Sequence, residues 1–497
     1  MTIVHSFNAH GIDATPVIVE IEITQGIGIH LVGLVDVSVK ETLLRTLTAM
    51  DSVFYRLPGK KIIINLAPAD LRKSGLGYDL PIALGVIAES KQEPLVRLDD
   101  YVIAGELGLD ATVRAIPGWL QCAMVAKEQG KACLLPRESA KLAARVFKDS
   151  VKIYGVNSLR DAVDILNGAT PEKTAFEELE EEPSTAKENK WDTLRGQEGA
   201  KRALEIAAAG GHPLLLVGAP RSNMETLAKA LIDILPPMSK KEIIETQSIA
   251  SVVNARISPK RRPFRAPHYS SSLMAVLGGD AEGNTRPGEV SRAHGGILYL
   301  KDWNLAPKAV LEALRGPLED RSVTIARLKT KDTFPAHFFP VMSMSPCPCG
   351  EYGEGDGCTC TPFQRKQYLA RVNGPIYDRL TVQLWYHPQS ENGSAGDPAE
   401  VVAKRVAIAR EIQLARQGKL NDDLTAVEVM ALIRTDQNEE LDEFLSNLIV
   451  RLNLSVSAYS RIVRLARTIA DLESEKDITK THLVEAATYR FLDRSEI

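Results

Sequence analysis

Apolar residues gather in two different rhythms along the first 167 positions. Pro16-Val-Ile-Val-Glu-Ile-Glu-Ile23 and Lys61-Ile-Ile-Ile-Asn-Leu66 are β-rich runs, and Leu80 to Glu89 is a helical one. From Trp191 strand-like and helix-like runs alternate again, as in a parallel α/β sheet. Beyond Pro398 the pattern turns almost wholly helical, over Ala399 to Leu414, Thr425 to Ile433, Leu441 to Leu452, Ser457 to Leu472 and Thr481 to Leu492. Between the first two blocks, Gly168 to Lys190 is acidic and nearly free of apolar residues, the composition of a flexible linker. The predicted organisation is an N-terminal α/β domain over 1–167, an acidic linker over 168–190, an α/β core over 191–397 and a C-terminal helical lid over 398–497. No internal repeat is visible.

Composition changes this picture little. A net charge of −4 gives no overall basic field, so any nucleic-acid contact must be local. No apolar run approaches the roughly 20 residues of a membrane span, and Met1-Thr-Ile-Val-His-Ser lacks the basic start and apolar core of a secretory leader. Four of the six cysteines cluster; Cys122 and Cys133 lie in apolar surroundings and read as buried free thiols. A reducing cytoplasm is the expected compartment.

The chemistry begins after the apolar run Leu214 to Val217. There Gly218-Ala-Pro-Arg-Ser-Asn-Met-Glu225 precedes a helical run opening at Thr226, the frame of a phosphate-binding loop, G-x-x-x-x-G-K-[ST]. Gly218 keeps the first glycine, and Ala219, Pro220, Arg221 and Ser222 fill the variable positions. Asn223 replaces the second glycine, Met224 the lysine and Glu225 the hydroxyl residue. Such loops work because a lysine ammonium meets the β- and γ-phosphates and a hydroxyl holds Mg²⁺. A thioether supplies no charge, and a carboxylate at the helix start repels phosphate.

Gly296-Ile-Leu-Tyr-Leu-Lys-Asp-Trp303 has the shape of a Walker B strand, with Lys301 at the magnesium-holding acid and Asp302 at the water-polarising one. Both halves of one Mg²⁺ site are therefore altered. In a phosphate-loop fold the Walker B strand is expected to lie beside the loop's own strand, so Glu225 and Lys301 should face each other across the vacated site and form an ion pair.

Cys347-Pro-Cys349 and Cys358-Thr-Cys360 enclose eight residues rich in glycine. Four thiolates suit tetrahedral Zn²⁺, although C-x-C is tighter than the usual C-x₂₋₄-C spacing; free thiols or a disulfide remain alternatives. Lys260-Arg-Arg-Pro-Phe-Arg265 is a local basic run suited to backbone phosphates or, equally, to structural arginines in a solvated loop. His268 reads as a base-stacking or a packing residue, and Trp303 as core or interface.

The combination resembles the magnesium-chelatase-like AAA+ family, in the competence-protein ComM (YifB) branch. The residues that carry the resemblance include Gly196-Gln-Glu-Gly-Ala-Lys-Arg202, Phe264-Arg-Ala-Pro-His268, Leu311-Glu-Ala-Leu-Arg-Gly-Pro-Leu-Glu-Asp320, Ser345-Pro-Cys-Pro-Cys-Gly350, Gly374-Pro-Ile-Tyr-Asp-Arg379 and Ala466-Arg-Thr-Ile-Ala-Asp-Leu472, with Tyr78-Asp-Leu-Pro-Ile-Ala83 in the first block. The resemblance implies a Lon-protease-like N-terminal domain, a P-loop AAA+ core and a helical lid. It also implies ATP and Mg²⁺ as cofactors, an oligomeric, hexameric ring, and action on single-stranded or branched DNA in recombination and natural transformation. By the same resemblance the protease serine falls at Gly77 and its lysine at Cys122, so no peptidase is expected. Sensor 1 falls at Ser345 instead of asparagine, sensor 2 at Ser457 instead of arginine, and Arg379 is a candidate trans-acting arginine finger or a plain surface arginine. The expected function is that of a family member with ATP binding and hydrolysis impaired, a regulatory or structural DNA-processing partner. The alternatives are an active DNA-remodelling motor and a sensor that binds ATP without hydrolysing it.

Overall fold

The computed structural model describes residues 1–34, 37–71, 73, 77–168, 173–179, 189–281, 284–326, 331–353, 357–369, 376–387, 394–433, 439–452, 454 and 456–493. The N-terminal block forms a seven-stranded mixed sheet in the order Gly28–Val32, Lys61–Ala67, Asp13–Thr24, Thr2–His10, Tyr101–Ile103, Ala132–Pro136, Ile153–Val156. Alternate residues of its central strands point the same way, so Val17, Val19, Ile21, Ile62, Ile64 and Leu66 form one buried face. The helix Asp79–Glu89 lies across that face, so close that a Cβ on Gly85 would come 2.4 Å from Ile21 Cδ1. A larger residue at 85 would require the Ile21 side chain to shift.

The second block forms a five-stranded sheet, parallel throughout, in the order Phe264–Arg265, Ile297–Leu300, Phe339–Met344, Leu214–Val217, Val382–Trp385. Leu214–Val217 is buried at every position, as a central strand covered on both faces must be, which explains its unbroken apolar run. The order corrects one premise. The Walker B strand Ile297–Leu300 does not lie beside the P-loop strand, because Phe339–Met344 pairs with both and separates them.

The C-terminal region is helical, with Ala399–Gln417, Ala426–Ile433, Glu439–Arg451, Val456–Leu472 and Lys480–Thr488. Val402, Val406, Leu445, Ile462 and Ile469 share one apolar core with Leu214, Leu216 and Met224 of the sheet block. The two α/β blocks meet where Gly118 and Leu120 donate backbone bonds to Ser251, both at 3.0 Å. Within the stretch expected to be linker, Ala175 is buried and donates its N–H to Ile153 O at 2.7 Å, whereas 169–172 and 180–188 lie outside the described residues. Among the described residues no helix is long and apolar enough to cross a membrane.

Candidate nucleotide site and cysteine cluster

The loop keeps a phosphate-loop backbone frame around altered side chains. Asn223 has φ 51° and ψ 42°, the left-handed conformation that a glycine would take without strain and that asparagine tolerates better than most residues. It opens the helix Met224–Ile234. Gly218 donates to Met344 O at 3.2 Å, and a Cβ there would come 2.6 Å from Tyr386 O. Ser222 turns inward: its N–H and Oγ both bond to Ala219 O, at 2.9 and 2.6 Å. This hydroxyl is spent on its own loop.

Met224 is 6% exposed and packs in the core shared with the lid, so the lysine position faces apolar side chains. Glu225 pairs with Lys229 at 2.6 Å, one turn along the same helix. A carboxylate in the first turn also answers the positive end of the helix dipole, the role a bound phosphate fills elsewhere. Thr226, half-buried, donates its N–H to Asn223 O at 3.0 Å.

The expected Glu225–Lys301 pair is not formed. Lys301 is exposed beyond the end of its strand, and among the described residues it joins no ion pair. The intervening strand Phe339–Met344 and the near partner Lys229 account for the difference. Tyr299, on the Walker B strand, is buried within electrostatic reach of both Glu225 and Asp302. Its hydroxyl sits 2.8 Å from Ser343 Oγ on the intervening strand. Burial pushes this phenol up to about 12, and the Glu225 and Asp302 carboxylates push it the same way.

Pro220, Asp302, Ser345, Cys349, Cys360 and Tyr368 line one cleft of about 670 Å³. The structure thus gathers one P-loop residue, the second Walker B position, the sensor-1 position and part of the cysteine cluster. Met224, Lys301 and Arg379 do not line it. Arg379 is half-exposed and pairs with Glu319 at 2.8 Å, which Arg315 also holds at 3.0 Å. Ser455 and the side chain of Ser457 lie outside the described residues.

The four cysteine Sγ atoms, of Cys347, Cys349, Cys358 and Cys360, lie within 4.8 Å of one another and are free thiols. The backbone amide of Glu351, followed by the Cys347 thiol, holds Cys349 down at about 6, while burial pushes Cys347 up to about 12. A set of four soft donors fits a thiophilic ion, and no further ligand is needed to complete a tetrahedron.

Some of the other sequence candidates have structural partners. Arg262 bonds Glu242 at 2.9 Å and Pro236 O at 2.8 Å, and Arg265 forks onto Glu289 with its longer arm at 2.7 Å. Two of the four cations in the basic run are therefore taken up internally; Lys260 and Arg261 remain exposed. Trp303 is buried, and His268 is exposed with its ring 4.3 Å from that of Tyr269. Gly77 faces Ile116, Ala104 and Phe7, and the Cys122 and Cys133 sulfurs lie 3.6 Å apart in the core. Sequence reasoning missed Tyr299, Glu351 and Tyr386, none of which belongs to a phosphate-loop signature.

Three family models span nearly the whole chain: subunit ChlI of Mg-chelatase over 19–139, magnesium chelatase, subunit ChlI over 190–393, and its C-terminal model over 396–490. The YifB protein of Salmonella typhimurium is 39% identical across 99% of this chain and 98% of its own length. The chain belongs to the ComM/YifB branch of the magnesium-chelatase-like AAA+ family. Escherichia coli YifB and the competence protein ComM of Haemophilus influenzae are each 37% identical, again over 99% of this chain and 98% of theirs. The loop Gly218 to Thr226 lies inside the stretch matched by these ComM/YifB relatives.

Proposed function

We propose that this chain is an ATPase-deficient ComM-like subunit, a regulatory or structural partner in cytoplasmic DNA processing. The observation that carries the reading is Met224, sealed in the apolar core at the position of the phosphate-binding lysine, next to a Glu225 already paired. A triphosphate brought to this loop finds a buried thioether in place of the lysine and a carboxylate in place of the hydroxyl, and the magnesium-holding strand position carries Lys301 instead of an acid. The domain plan of 1–167 as Lon-like, 168–190 as linker, 191–397 as AAA+ core and 398–497 as lid is part of the proposal. So is a hexameric ring in which Arg379, once released by Glu319, serves a neighbouring subunit. Single-stranded or branched DNA is the proposed substrate, in keeping with a relative named as a competence protein. Zinc is the metal proposed for the cysteine cluster.

Calorimetric titration of ATP with and without Mg²⁺ tests the central claim. No binding is expected. Binding with turnover would establish the motor, and binding without turnover the sensor.

A further inference from the structure

We propose that the metal-loaded cysteine lobe substitutes for nucleotide as the organiser of this phosphate loop: a thiophilic divalent ion of the zinc class, held by Cys347, Cys349, Cys358 and Cys360, clamps Pro220 and Arg221 in place. The inference rests on the reading of the cluster as a metal site and adds what that site does.

The metal geometry comes first. A tetrahedron of sulfurs about 2.3 Å from a zinc ion has edges of about 3.8 Å. Cys347 and Cys358 sulfurs are 3.8 Å apart, Cys349 and Cys358 3.7 Å, and Cys347 and Cys349 3.3 Å. Disulfide bonding would need about 2.05 Å. Cys347 follows the strand Phe339–Met344 by three residues, and Cys360 precedes the helix Pro362–Leu369 by two. An ion at this centre cross-links a strand end to a helix start.

The residues directly after Cys349 then grip the loop. Gly350, at φ 85°, lies against the Pro220 ring so closely that a Cβ would come 2.6 Å from its Cδ. Glu351 pairs with Arg221 at 3.0 Å. Tyr352 packs edge-on against Trp385, ring centroids 5.9 Å apart, with the Arg365 guanidinium 4.3 Å over its other side. Trp385 in turn is the strand partner of Val217, the residue immediately before Gly218. Two consecutive loop residues and the neighbouring strand are thus held by one short lobe.

Among the described residues from Cys347 to Thr361 that lobe has no helix or strand, and four of the eight residues between its cysteine pairs are glycine. Such a chain gives up much backbone entropy on ordering. Metal–thiolate bonds are the largest available source of compensating free energy, so metal binding and lobe order are one equilibrium. The grip on Pro220 and Arg221 follows that equilibrium.

The test is hydrogen exchange of the full-length protein, zinc-loaded against chelator-stripped, with metal counted by elemental analysis and cobalt(II) substitution read by its thiolate charge-transfer band. One ion per chain is expected. Stripping should raise exchange across 218–226 and 382–386 by about tenfold or more while 62–66 stays unchanged. The double variant R221A/E351A should keep its metal and still show faster exchange over 218–226. One bound ion with no change over 218–226 overturns the clamp and leaves the metal reading standing. Absence of both stoichiometric metal and the cobalt band overturns the metal reading and the clamp with it.

Discussion

Glu225 and Lys229 form an ion pair at 2.6 Å on the first turns of the helix that follows the phosphate loop, so the Glu225 carboxylate finds its cation inside the protein. Reverting one position cannot restore the site, because the losses are independent. With M224K alone, Glu225 still repels phosphate and Lys301 still repels Mg²⁺. The quadruple reversion M224K/E225T/K301D/D302E is expected to gain Mg²⁺-dependent ATP binding measurable by calorimetry, while each single reversion gains none. Tight ATP binding by M224K by itself would show that the acid and the swapped cation are harmless.

Met224 gives a separate prediction about stability. A side chain that faced solvent or phosphate would be removed at little cost. Packed in the core beside the lid helices, its truncation leaves a cavity, and Met224→Ala should cost about 2–5 kcal/mol. Urea unfolding of the full chain measures it. A change within about 0.5 kcal/mol, the range of an ordinary surface substitution, would place Met224 outside the core.

How much of this was legible differs from residue to residue. Leu214–Val217 announces itself because a central parallel strand needs apolar residues on both faces. Tyr78-Asp-Leu-Pro-Ile-Ala83 and Ala466-Arg-Thr-Ile-Ala-Asp-Leu472 identified the family before any geometry was known, and the match extends over 99% of the chain. Strand order was not legible: the neighbour of Leu214–Val217 begins at Phe339, 122 positions beyond Val217, and nothing local in either run names the other. The partner of Glu225 was readable in principle, since Lys229 stands four residues along the same helix, the spacing that brings side chains together. Arg262 and Arg265 looked like phosphate ligands because their acids, Glu242 and Glu289, are 20 and 24 residues away. The cysteine spacing pointed to a metal, but only coordinates place its lobe against Pro220.

Asp471, in the Ala466 to Leu472 motif, is a structural residue whose partners the motif does not show. It is 1% exposed and receives Arg416 at 2.6 and 3.0 Å, Arg467 at 3.1 Å and Asn421 at 2.8 Å. Asp471→Ala leaves two guanidinium groups facing a site without their carboxylate, and breaking such a buried pair costs about 3–5 kcal/mol. The effect should appear as earlier loss of helical signal on heating. Retention of the full melting temperature would mean the lid does not depend on this network.

His294 sets a pH dependence. It is 4% exposed, accepts the His337 N–H at Nδ1 over 3.1 Å and faces Glu245 with Nε2 at 3.0 Å. Burial lowers its pKa and outweighs the opposing pull of Glu245 and Glu242, with Lys241 acting in the same direction as burial. The folded protein therefore favours the neutral ring, while the unfolded chain takes up a proton near pH 6.5. The contribution is whole above that pH and is lost as pH falls from about 6.5 toward the lower folded value. Urea midpoints at about pH 7.5 and about pH 5.5 should differ more in the wild type than in His294→Gln, because the variant has no imidazole to protonate. Equal pH sensitivity in the two proteins would assign the acid response to the carboxylates instead and leave His294 a purely geometric link between Glu245 and the His337 backbone.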